Sequence, residues 1–136
     1  IRKTLISIVL AGALALGTAG CSKDHSQYKY NKRIGEDLVT FTEKKYGLEV
    51  DDNILTVIKP DGRVIKHVDR LNDDLKLEYV EIISNGQTTK YTPDDEVGKS
   101  ILEEAQKQFV VYLQKINEAK AQERKERINQ GLEDLK

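Results

Sequence analysis

Between Asn53 and Thr92 the chain alternates short β-favouring runs with turn chemistry, and this constrains its fold more than any other feature. Asn53–Lys59 reads NILTVIK, β-branched and apolar. Pro60-Asp61-Gly62 then supplies a turn, with proline setting φ and glycine free to take φ > 0. Arg63–Asp69 follows as a second strand, so the two runs predict a hairpin. After the connection 71–74, Leu-Asn-Asp-Asp, comes a third run over 75–83, with Leu75, Leu77, Tyr79 and Ile83 expected on one face. Asn85-Gly86 is the strongest short hairpin signal, because a type I′ turn needs φ > 0 at both central residues. It leads into a polar run over 87–92, suited to a sheet edge and carrying Lys90. These runs predict a four-stranded antiparallel meander.

The flanking segments carry helical spacing. Ile34, Leu38, Phe41 and Tyr46 predict a short N-terminal helix over 34–46, with Gly47 placed to end it. Thr92 is the expected cap of a second helix, with Pro93 at its first position and Asp94, Asp95 and Glu96 in its first turn, where the helix dipole favours acids. Ile101, Leu102, Ala105, Phe109, Tyr112, Leu113 and Ile116 then form one apolar stripe. The expected class is α+β: a short N-terminal helix, the four-stranded meander, and a long C-terminal helix packed on one sheet face. The opposite face, with its Lys, Glu and Thr residues, suits solvent.

Beyond Ile116 the stripe fades. Residues 117–136 hold ten charged and five apolar residues, and read as a charged helical arm. Glu123 and Arg127 stand four apart in the favourable orientation for a solvated helix. Ile128, Leu132 and Leu135 form a second, shorter stripe, fit to dock on the domain, on an unknown protein partner or on a second copy.

Composition shifts sharply at the other end. Residues 1–20 contain 12 of the chain's 52 hydrophobic residues. Arg2 and Lys3 make a positive start, Leu5–Leu16 an apolar run, and Gly17–Gly20 a stretch of small residues. That is the three-part pattern of a secretory signal peptide, too short for a bilayer span of about 20 residues. Thr18-Ala19-Gly20-Cys21 resembles the lipobox of bacterial lipoproteins, with Thr18 where the family usually carries an aliphatic residue. The resemblance implies acylation of the Cys21 thiol and cleavage between Gly20 and Cys21. It further implies anchoring to membrane lipid on the extracytoplasmic face of the cell membrane. Residues 21–33 then read as the lipidated cysteine and a flexible tether, 34–116 as the α+β domain, and 117–136 as the arm. Tyr28 and Tyr30 stand out in the tether, and are expected at the domain edge or at lipid headgroups.

Little else points to chemistry. Cys21 is the single cysteine, which excludes a disulfide framework and cysteine-built metal sites. Net charge is −1, or −3 beyond residue 20, and carries no footprint for nucleic acid. His25 falls in the tether, and His67 reads as a surface or edge residue of a strand. The acid clusters Asp51-Asp52, Asp73-Asp74 and Asp94-Asp95-Glu96 match no EF-hand spacing, and read as turn formers and caps. The expectation is therefore no catalytic residue, no metal ligand and no cofactor. Two classes stand: a non-catalytic binding module on the cell surface, with a phage- or plasmid-borne superinfection-exclusion lipoprotein as its concrete form, or an envelope enzyme accessory or solute-handling lipoprotein.

Overall fold

The computed structural model describes residues 25–47, 49–70 and 74–136. The signal segment 1–20, Cys21 and residues 22–24 lie outside them. Six strands form one antiparallel sheet in simple sequence order: β1 (His25–Ile34), β2 (Asp37–Tyr46), β3 (Glu49–Ile58), β4 (Val64–Arg70), β5 (Tyr79–Ser84) and β6 (Gln87–Tyr91). One helix, α1 (Glu96–Asp134), follows and crosses one face. The class is α+β, as expected.

Two expectations are corrected by β1 and β2. The segment 34–46 is not a helix. It is the end of β1, a tight turn at Gly35-Glu36 and the strand β2, with Ile34 opposite Asp37. Ile34, Leu38, Phe41 and Tyr46 satisfy a helical period, but Val39 and Phe41 satisfy the period of two. Val39, Thr40 and Thr42 are β-branched, and glycine at the first position of a two-residue loop is itself a hairpin signal. From His25 onward the expected tether is strand β1, paired with β2 along its whole length from His25–Tyr46 to Ile34–Asp37. Its polar side chains suit an edge strand, so polarity alone did not mark it as a loop. Among the described residues the sheet therefore has six strands, not four, and one helix covers it, not two.

The turns expected between β3 and β6 are present. Gly62 N donates to Lys59 O at 3.0 Å across Pro60-Asp61, and Asn85 and Gly86 adopt φ of 52° and 76° between Ser84 and Gln87. The third run starts later than expected, at Tyr79. Leu75 stands outside the sheet with φ 60°, and Val80, not Tyr79, points under the helix.

Pairing register sorts the two sheet faces. Val39 and Phe41, Leu55 and Val57, His67, and Val80 lie beneath α1, where Leu102, Ala105, Phe109 and Ile116 close the core. Each buried Val, Leu, Ile or Phe side chain among them contributes about 1.5–3 kcal/mol by burial. The opposite face is mixed, not simply polar. Leu38, Ile58, Val64 and Ile83 make one aliphatic row across β2–β5. Beside it runs a polar row of Thr40, Thr56, Lys66, Glu81 and Lys90. Lys90 Nζ sits 4.0 Å above the Tyr79 ring on this face.

The helix is capped by Asp95, whose Oδ1 accepts from Gly98 N at 2.6 Å, and not by Thr92. Thr92 instead donates its hydroxyl to Asp94 Oδ2 at 2.9 Å, ahead of the first turn. With 39 residues, α1 is about 58 Å long at 1.5 Å per residue, more than the sheet beneath it can cover. The helix starts beside β6, passes over β4 at Phe109 and reaches β1 at Glu123. Its last turns, from Arg124 on, are exposed.

Candidate functional site

Three polar features gather where the helix meets the sheet. The first is a cleft of about 710 Å³ beside α1, bounded by the β1–β2 and β3–β4 turns. Lys59, Arg63, Lys107 and Lys115 line it together with Glu36, Asp37 and Glu104. Asp37 Oδ2 accepts from Tyr112 Oη at 2.6 Å and from Lys59 Nζ at 3.1 Å. This ties the first turn to the middle of the helix. Burial, and then the Asp37 carboxylate, push the Tyr112 hydroxyl well above its ordinary range, so it remains a donor.

His67 forms the floor behind this lining. It is fully buried on central strand β4, not at a surface or an edge. Its ring stacks on Phe109 at 6.1 Å between centroids and tilts against Tyr112 at 6.4 Å. Nδ1 lies 3.2 Å from Leu55 O, a carbonyl that can only accept, which assigns the proton to Nδ1. Nε2 then carries a lone pair with no partner among the described residues. Burial holds the ring below its ordinary pKa, against the bond to Leu55, and so keeps it neutral. A signal for this was present in the sequence. Ile65, His67 and Asp69 alternate with Val64, Lys66 and Val68, which places His67 on the same face as Ile65.

The second feature lies at the β1 edge, a recess of about 680 Å³ lined by Tyr28, Tyr30, Lys120, Glu123 and residues of the last helical turns. Lys120 Nζ stands 5.2 Å from the Tyr28 ring, 5.1 Å from that of Tyr30 and 5.9 Å from that of Phe41, within cation–π range of all three. Tyr30 donates to Glu123 Oε1 at 2.8 Å, and Lys32 Nζ approaches the same oxygen at 3.3 Å. Burial and the Glu123 bond push the Tyr30 hydroxyl up to about 12, while that bond and Lys32 hold Glu123 below its ordinary value. The two tyrosines therefore sit at the domain edge, one of the two placements expected for them.

The third feature is a buried carboxylate. Asp69 accepts from Asn53 Nδ2 at 3.2 Å and from Leu75 N at 2.9 Å, both on Oδ2. The neighbouring Asp74 and Glu78 come from the β4–β5 connection. Among the described residues of the expected acid clusters, Asp74 alone joins such a grouping, with Asp69 and Glu78 close to it in sequence. Cys21 and Gly20 lie outside the described residues, and His25 begins β1.

Among the described residues, no helix is long and apolar enough to cross a membrane. The chain matches no family model, no curated protein and no solved structure with which it was compared.

Proposed function

We propose that the chain is a lipid-anchored surface lipoprotein, held to the extracytoplasmic face of the cell membrane through acylated Cys21, and acting as a non-catalytic binding module. The observation that carries this reading is the lipobox Thr18-Ala19-Gly20-Cys21 at the end of an apolar, charge-started segment, immediately upstream of a folded domain. Strand β1 begins at His25, so only residues 22–24 separate it from the acylated cysteine. At full extension this spans about 14 Å, closer than the 12-residue tether expected from sequence. The sheet edge and its Tyr28–Lys120 recess would sit against the headgroups, with α1 as the element available to a partner. The polar groups of the cleft favour binding over catalysis: Asp37 Oδ2 is held by Lys59 and Tyr112, and the His67 ring is fully buried against Phe109. The narrower form of this reading is a phage- or plasmid-borne lipoprotein that blocks entry of a second phage.

The cleft supports one second reading, a solute-handling lipoprotein, since its volume falls within the 300–1,000 Å³ of small-molecule sites.

Fractionation of cells making wild type and Cys21→Ser tests the anchor, because the thiol is the sole site for a diacylglyceryl group. Wild type should pellet with membranes and incorporate labelled palmitate, and Cys21→Ser should lose the label and not mature at Gly20. A Cys21→Ser protein that is cleaved normally and still pellets would sink the reading.

A further inference from the structure

We propose that Asp69, Asp74 and Glu78 bind one hard divalent cation, with calcium the best match, at the β4–β5 connection. One carboxylate oxygen from each residue lies within 4.8 Å of the other two. Two oxygens on opposite sides of a calcium ion, each at about 2.4 Å, stand about 4.8 Å apart, so a shared ion fits this spacing. Three negative charges this close repel one another unless a positive charge lies among them. Among the described residues, no ion pair reaches Asp69 or Glu78.

Spacing alone would make only an acidic patch. The independent observation is the state of Asp69. Its side chain has no exposed surface, and among the described residues its Oδ1 is buried without any hydrogen-bond donor. The two donors that the fold supplies, Asn53 Nδ2 and Leu75 N, both go to Oδ2. A buried carboxylate oxygen left without a partner is costly, and native folds satisfy nearly all such atoms. A cation held by this carboxyl group together with Asp74 and Glu78 would satisfy it.

The other two ligands are held in place by the backbone. Asp74 Oδ1 accepts from Lys76 N at 2.9 Å, and Glu78 Oε2 accepts from Arg70 N at 2.6 Å. Asp74 is exposed and Glu78 half-buried, which opens the site to the ion and leaves room for water to complete six to eight ligands. All three donors are carboxylate oxygens, which suit calcium, magnesium or manganese and not zinc or copper. The irregular approach from a strand end and a connection favours calcium, since magnesium demands near-ideal octahedral geometry.

The test is titration of the purified, chelator-stripped full chain with CaCl₂, read by calorimetry and by thermal midpoint, against MgCl₂ and an ionic-strength-matched NaCl control. One calcium ion per chain should bind saturably, with Kd on the order of 10⁻⁴–10⁻³ M as in extracellular modules, and the midpoint should rise. Asp74→Asn and Glu78→Gln lie outside the core, and each should weaken binding at least tenfold with the far-UV spectrum unchanged. Saturable heat and a midpoint shift that both variants retain in full would overturn the proposal. So would the absence of any calcium effect beyond the NaCl control at about 10 mM, far above such a Kd. The wild-type titration decides the matter even if a variant fails to fold.

Discussion

Tyr30 and Glu123 share a 2.8 Å hydrogen bond, which joins the first strand to the eighth turn of the C-terminal helix, 93 residues away in sequence. Lys120 reinforces the junction from the preceding turn by facing Tyr28, Tyr30 and Phe41. The apolar stripe ends at Ile116, yet the helix keeps contact with the sheet for two more turns through polar and cation–π interactions.

Truncation should therefore show two regimes. Removing 128–136, which are exposed throughout, should leave the thermal midpoint within about 1 °C. Removing 118–136 takes away Lys120 and Glu123 as well, and should lower it by about 3 °C or more. Calorimetry of the two truncations checks this. Equal midpoints would mean that the Tyr30 junction contributes nothing to stability.

Gly98→Ala should reverse the usual helix rule. Alanine in a helix interior normally stabilises by about 1 kcal/mol over glycine. Here a Cβ on Gly98 would collide with the Thr92 carbonyl oxygen, a backbone atom held in the approach to the helix. The expected result is a loss of about 2 kcal/mol or more, in the range of overpacked sites. Urea denaturation measures it, and a stabilised variant would show that 92–95 yields freely.

Gly86→Val probes the β5–β6 turn. Gly86 has φ 76° with nothing within 4 Å of a built Cβ, so the cost is backbone strain and not collision. A β-branched residue held there should lose about 1–3 kcal/mol, read from the denaturant midpoint. Gly86→Asn, whose side chain tolerates this region, should lose distinctly less.

Asp69 should make stability fall as pH rises. Its folded value, about 6, lies above the unfolded carboxylate value near 4. The fold therefore favours the protonated form, and the benefit is complete below about pH 4 and gone above about pH 6. The shift is worth about 2 kcal/mol over this window. His67, held low by burial, acts oppositely by losing stability as pH falls through about 6.5. Comparing wild type with Asp69→Asn in chelator isolates the Asp69 contribution. The variant should be more stable at pH 7 and nearly equal at pH 4, and parallel curves would refute the assignment.

What local sequence determined is the set of elements whose signals do not depend on partners. Pro60-Asp61-Gly62 and Asn85-Gly86 dictate their turns by backbone torsion preference alone, and the stripe from Leu102 to Ile116 dictates which side of the helix is buried. The segment 34–46 is different, because its residues fit two periods. Helix and hairpin compete there, and pairing with β3 decides, since Val39 and Phe41 gain burial beside Val57 and Leu55 only as a strand. The polar features were least legible. His67 and Asp69 look like ordinary strand residues until β4 proves central and covered by α1. Tyr30 meets Glu123, and Tyr112 meets Asp37, only after the sheet closes under the helix. Such pairings follow from distances in space that no local spacing encodes, which is why tertiary structure alone decided them.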